Sequence, residues 1–232
     1  MNNQIAKKFD TLSLLKFTLP SMIMMLFMAL YQMVDAVFVS NFVSETALSA
    51  LNIVYPLISF IIAVAVMLAT GGSAVIAKKM GEGEHALARQ LFSMVVLIGV
   101  LFGIAMTLVG IFFTRPLIHL MGSTPALDPY CYDYLYTLML FSPFAVLQLL
   151  FQTFFITAGK PHLGLVVTVL AGIANIFFDF LFIVAIPLGV KGAAYGTAIG
   201  YCIPAIFGLI FFSLDRNGSL RFVKPTFDAP VL

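Results

Sequence analysis

Charge is what this sequence has least of: 9% of its 232 residues are Asp, Glu, Lys or Arg, against 62% that are hydrophobic. That balance leaves far too little polar surface to cover a water-soluble globule, and it makes the lipid bilayer the expected solvent. Cysteine is nearly missing as well. Cys131 and Cys202 have no metal-ligand spacing, and two residues do not make a disulfide framework, so free thiols are expected. A formal net charge of +2, with no basic tract interleaved with aromatics, gives no reason to expect nucleic acid. The enzyme signatures are absent too: no Walker lysine motif, no paired-histidine metal motif and no nucleophile elbow. Gly81, Gly83 and Ala86 share the spacing of a dinucleotide fingerprint, but they follow an apolar helix and not a strand, which makes them a turn. His85, His119 and His162 fall in or near loops, far apart in sequence, and read as solvated side chains.

What the sequence does have is long apolar runs. They predict helices over residues 12–40, 48–77, 89–113, 130–158, 163–187 and 192–214. Each is long enough to span a bilayer, which takes about 20 residues. The fold class expected is therefore all-α, a polytopic membrane protein with six spans. The first run is much longer than the apolar core of a cleaved signal and lacks a small-residue cleavage site, so it reads as a retained span. Turn chemistry separates the runs, as at Gly122-Ser123-Thr124-Pro125 and Gly159-Lys160-Pro161. Residues 1–214 are expected to form one transmembrane lobe, with 215–232 as a cytoplasmic linker or tail that includes the polar stretch 227–230.

Orientation follows from basic residues, which accumulate in cytoplasmic loops. Lys7, Lys8, Lys16, Lys78, Lys79, Arg89, Lys160, Arg216, Arg221 and Lys224 fall on one side, and Arg115 and Lys191 on the other. Both termini are accordingly expected in the cytoplasm, in a multi-pass plasma (cell inner) membrane protein. The sequon Asn217-Gly218-Ser219 then lies on the cytoplasmic side and stays unmodified. An even number of spans would let a second, fused copy enter the membrane in the same orientation, as in parallel transporter repeats.

Two carboxylates lie deep inside apolar segments, Asp35 in the first span and Asp179 in the fifth. A charged aspartate at the bilayer centre costs about 2.5–3.5 kcal/mol on insertion scales and commonly marks an ion or substrate pathway. Thr197, near the start of the sixth span, reaches a similar depth. Helical spacing puts Tyr31, Gln32 and Asp35 on one side of the first span, and Thr168, Gly172, Asn175 and Asp179 on one side of the fifth. These polar groups can satisfy one another between helices. With no lysine or arginine at membrane depth to pair the aspartates, they can also hold a proton, or a Na⁺ ion between carboxylate and amide oxygens. Gly192, Gly196 and Gly200 form a close-packing stripe. Pro20, Pro56, Pro143 and Pro204 each remove a backbone donor and mark sites for bends. Most of the 24 phenylalanines and 12 methionines are expected to face lipid.

Four passages, taken in order, resemble one family: Tyr31-Gln32-Met33-Val34-Asp35; Gly71-Gly72-Ser73 through Lys78-Lys79-Met80-Gly81; Asn175-Ile176-Phe177-Phe178-Asp179; and Gly189-Val190-Lys191-Gly192 through Gly196-Thr197. Together they are similar to the N-terminal six-helix half of the multidrug and toxic compound extrusion (MATE) transporters, bacterial efflux type. The resemblance implies a secondary antiporter, not an enzyme, exporting cationic amphipathic compounds in exchange for H⁺ or Na⁺. It implies no cofactor beyond that coupling ion. By motif match Asp35, Asn175, Asp179 and Thr197 would form its cation site, with Tyr31, Gln32 and Thr168 as supporting polar residues. Family members have twelve helices in two lobes, so a missing C-terminal lobe or a second copy of this one is the implied partner, beside membrane lipid. Other readings are a truncated non-transporting lobe or structural subunit, a lipid-linked precursor flippase, and an intramembrane aspartyl protease. The flippase would want a cationic cavity, and the protease characteristic aspartate motifs; neither is present.

Overall fold

The computed structural model describes residues 11–215 and 218–223. Lys7, Lys8, Arg216 and Lys224 of the orientation-setting charges, Asn217 of the sequon and the 227–230 stretch lie outside the described residues. The described chain is helical, with no strand: α1 (Thr11–Phe42), α2 (Glu45–Gly81), α3 (His85–Leu120), α4 (Asp128–Leu140), α5 (Ser142–Thr157), α6 (Pro161–Asp179) and α7 (Val190–Leu214). A π-helical segment, Phe180–Ala185, continues α6. Five continuous helices are long and apolar enough to cross a membrane, and α4 with α5 makes a sixth span bent by 57°.

The ends of these helices follow local chemistry. Ser44 caps α2, its hydroxyl accepting from the Ala47 amide at 3.0 Å. α5 ends in a Schellman turn: Gly159 is left-handed (φ 74°), its amide donates to Ile156 O at 2.9 Å, and the Lys160 amide donates to Phe155 O at 2.8 Å. Gly83 and Gly122 close α2 and α3 with the same pair of bonds. These are the Gly-containing breaks expected from sequence.

The fourth predicted helix, 130–158, is the one that differs: it breaks at Phe141. Pro143 has no amide hydrogen to give the Met139 carbonyl one turn back. Hydroxyls fill the gap, with Thr107 of α3 donating to Met139 O at 2.9 Å and Ser142 donating to it at 2.8 Å. The bend then seats against α3 at glycines. A Cβ on Gly103 would lie 2.5 Å from Pro143 Cα, and one on Gly110 would overlap Met139.

Polar ties between helices concentrate at the end that carries the Gly83 and Gly159 turns. Lys160 pairs with Asp215 at 2.7 Å, and Ser73 and Thr157 share a hydrogen bond of 2.7 Å between α2 and α5. Residues 218–223, beyond α7, pack back onto the bundle. Arg89 donates to the carbonyls of Gly218 and Ser219 at 3.2 Å each, and the Val223 amide donates to Ser93 Oγ at 2.9 Å. Phe222 joins the rings of Phe92, Phe151, Phe154, Phe155 and Phe212. At the opposite end Lys191 pairs with Asp133 at 3.2 Å, and Arg115 lies over Tyr132. Outward-facing side chains such as Met25, Met67, Phe112 and Phe177 are apolar, as a lipid-facing surface requires.

The seat of the bend gives a direct check. Gly103→Ala drives a methyl into backbone atoms of Pro143 and should destabilise the fold by about 1–3 kcal/mol, measured as thermal unfolding in detergent. Gly71→Ala, at a helical position with nothing within 4 Å of the new carbon, should be neutral or slightly stabilising.

Candidate ion site

α1, α6 and α7 pack against one another along small residues, and the predicted polar set lies in that seam. Thr168, Gly172, Asn175 and Asp179 do share one buried face of α6. Gly172 brings α1 close: a Cβ there would sit 2.5 Å from the Phe27 ring and 2.9 Å from the Tyr31 ring. On the other side the α7 glycines approach α6. Gly196 lies directly on the Asp179 carboxylate, while a Cβ on Gly200 would meet the Asn175 Cβ at 3.4 Å. Gly192 packs against the Phe182 carbonyl inside the π-helical segment. That segment starts one residue after Asp179. Its wider turn shows in the Ile186 amide, which reaches back five residues to Leu181 O at 2.7 Å.

The result is a pocket of oxygens. Asp179 is fully buried (0% exposed) and Asn175 nearly so at 1%. Asp35, from α1, faces Asp179 closely enough for the two carboxyls to interact. Neither aspartate has an ion-pair partner among the described residues. Seven buried side-chain atoms lack a hydrogen-bond partner among the described residues, and five of them belong to the four predicted site residues: Asp35 Oδ1, Asn175 Oδ1, both Asp179 oxygens and Thr197 Oγ1. A buried polar atom left unpaired costs about 1–3 kcal/mol, a cost that a donor or a positive group at these atoms would remove. No cluster of three or more His, Cys, Asp or Glu side chains occurs among the described residues. Two carboxylates, an amide oxygen and a hydroxyl suit a proton or a small hard cation, which takes oxygen ligands.

The supporting residues separate. Tyr31 packs on Phe27 and lies beside Gln148 of α5. Gln32 is exposed and, with Asp35 and Thr197, lines a cavity of about 180 Å³ between α1, α2, α4 and α7. Thr168 is engaged elsewhere, accepting a hydrogen bond from Gln152 Nε2 at 3.0 Å and so tying α5 to α6. Sequence reasoning missed Tyr134 of α4, buried beside Thr197 and both aspartates, and Tyr201 of α7, which lies near Asp35 and Tyr31. Tyr134 sits in a run with Tyr130, Tyr132 and Tyr136 close to a loop. Such a run reads as an interfacial aromatic belt, and only the inward turn of α4 distinguishes this member. Asn52 and Tyr55 of α2 also face the cavity.

An all-helical bundle with five candidate spans, or six with the bent α4–α5 pair, defines a polytopic membrane protein. The family profile described as MatE matches residues 20–181, and the chain belongs to that family of transporters, which are not enzymes. The multidrug export protein MepA of Staphylococcus saprophyticus is 25% identical over 216 residues, which cover 92% of this chain and 48% of that protein. Its Staphylococcus haemolyticus counterpart is 26% identical over 218 residues, again 92% and 48%. Among solved structures, a MOP superfamily transporter from Pyrococcus furiosus superposes with a TM-score of 0.90 at 21% identity, covering 98% of this chain and 51% of that one. An outward-facing multidrug resistance MATE transporter gives 0.91 at 21%, with the same coverage; at this identity the likeness concerns the fold. The chain spans about half the length of the curated relatives it matches.

The role of Thr168 can be separated from the ion cluster. Thr168→Val leaves the buried Gln152 amide unpaired and should cost about 1–3 kcal/mol of stability. Pairing it with Gln152→Leu should recover much of that loss in the same thermal measurement, since both polar partners are then gone.

Proposed function

We propose that this chain is the N-terminal lobe of a secondary antiporter that exports cationic amphipathic compounds in exchange for H⁺ or Na⁺, with Asp35, Asn175, Asp179 and Thr197 as the coupling-ion site. The observation that carries this reading is the set of five unpaired oxygens buried on those four residues. Enclosing two like charges in an apolar bundle is costly unless a positive charge joins them. A proton or Na⁺ supplies it, and its arrival or departure changes which packing of α1 against α6 and α7 is favoured. An ion can shift an equilibrium between arrangements only through such a difference in binding. Substrate would use the neighbouring cavity, where Tyr55, Tyr134 and Tyr201 offer aromatic faces and Gln32 and Asn52 offer polar contacts. Aromatic faces attract organic cations.

The positive residues support an orientation with the termini in the cytoplasm of a plasma membrane. Lys78, Lys79, Arg89, Lys160 and Arg221 lie at one end of the lobe, and Arg115 and Lys191 at the other. Because the matched relatives are twice as long, a second lobe, or a second copy of this one, completes the transport path in this reading.

The test is efflux of a fluorescent organic cation from proteoliposomes under an imposed H⁺ or Na⁺ gradient, beside ion-dependent thermal stability of the same preparation. At about 100 times its dissociation constant, the coupling ion should stabilise the native protein by about 2.7 kcal/mol. Asp35→Asn and Asp179→Asn should each abolish both that stabilisation and any gradient-driven efflux. If both variants keep the native ion response, the site is elsewhere and the reading fails.

A further inference from the structure

Asp179 is fully buried, no N–H or hydroxyl among the described residues donates to its carboxylate, and the one group set to interact with it is the Asp35 carboxyl. The position of Asp179 therefore depends on the walls around it, and one wall is the bare backbone of Gly196. A Cβ built there would overlap Asp179 Oδ1 and stand 3.1 Å from Cγ and 3.2 Å from the Asp179 amide nitrogen. Rotating the carboxylate away relieves the first contacts but not the last, which is to backbone. The other two glycines of the stripe do different work. Gly192 lets α7 approach the Phe182 carbonyl, whose oxygen a Cβ would meet at 2.5 Å, and Gly200 leaves room for a methyl, with its nearest neighbour at 3.4 Å.

Thr197 follows Gly196 directly, so the backbone that seats the carboxylate also carries the unpaired Thr197 hydroxyl, which lines the same cavity as Asp35. Filling the seat pushes the Asp179 carboxylate out of the α6–α7 seam while Thr197 and Asn175 stay on their helices. That changes the spacing between oxygens. A proton needs a single oxygen and tolerates the change. A metal cation needs several oxygens at set distances and does not.

We infer that Gly196 is a positioning residue: by giving the Asp179 carboxylate its seat between α6 and α7, it equips the oxygen cluster to accept a small metal cation as well as a proton. This rests on the coupling-ion reading above and extends it to selectivity.

The chain has eight tyrosines and no tryptophan, so its intrinsic emission reports tyrosine alone; Tyr134 and Tyr201 line the same cavity as Asp35, and Tyr31 lies one helical turn before it. The experiment titrates NaCl at fixed pH, with choline chloride as the ionic-strength control, and then pH at fixed salt. It uses the full chain in nanodiscs as the native sequence, G196A and G200A. The expected result is a Na⁺ response in the native chain that G196A weakens by about tenfold or more, with the pH response retained, and that G200A leaves unchanged. A native chain that responds to neither ion overturns both the inference and the coupling-ion reading. A native chain that responds to pH alone overturns the inference and leaves that reading standing. Equal Na⁺ affinity in G196A and native protein overturns the inference, as does equal weakening in G196A and G200A, which would reflect general helix packing. Should G196A fold poorly, a double-mutant cycle with D179A decides: a smaller loss of thermal stability from G196A in the D179A background than in the native chain supports the seat, and an equal loss in both backgrounds overturns it.

Discussion

The structure depends on one electrostatic constraint: two aspartates meet between helices with no lysine or arginine pairing them among the described residues. An uncompensated buried charge costs several kcal/mol per ion even after the surroundings relax. A soluble protein would solve this with water, and a structural membrane protein by replacing the acids. Here Asn175 and Thr197 add further oxygens, and no cation pairs with either carboxylate among the described residues. In the proposed reading a proton or Na⁺ joins them, and its binding is linked to the packing of the three helices.

Glycine makes that seam tight enough to matter. Lipid tails are as apolar as the side chains, so helix association in a bilayer relies on close van der Waals contact and polar ties. Gly172 admits the Phe27 and Tyr31 rings of α1, and Gly196 admits the Asp179 carboxylate. The π-helical turn beginning at Phe180 widens the chain just beyond Asp179, so that α6 continues toward the loop in a different register from the one that carries the acid. Such turns recur at functional sites.

The two ends of the lobe differ in how they are held. Around the Gly83 and Gly159 turns the helices are joined by Lys160 with Asp215, Ser73 with Thr157, Gln152 with Thr168, and Arg89 with the backbone of residues 218–219. A cluster of phenylalanines packs beneath them. At the level of the aspartates no ion pair appears among the described residues; Tyr31 lies beside Gln148, Tyr134 beside Thr197, and glycine seats bring the helices together.

The sequence by itself determined that the chain is helical and membrane-spanning, where the spans begin and end within several residues, and that Asp35 and Asp179 needed explaining. Length, apolarity and turn glycines are local properties, and an acid inside an apolar run is conspicuous without coordinates. It also gave the α6 face correctly, because helical spacing alone aligns Thr168, Gly172, Asn175 and Asp179. Tertiary structure decided the rest. The break at Phe141 follows from Pro143 only because Thr107 and Gly103 of another helix support the bend. Thr168 shares the α6 face of Asn175 and Asp179 yet bonds Gln152, a partner that α5 brings to it from another helix. Tyr134 and Tyr201 joined the aspartates through the rotation of α4 and α7, which no run of residues encodes locally. And Gly196, in sequence one of three equivalent glycines, became the residue under the carboxylate because helix packing placed Asp179, and not Asn175 or Phe182, opposite it.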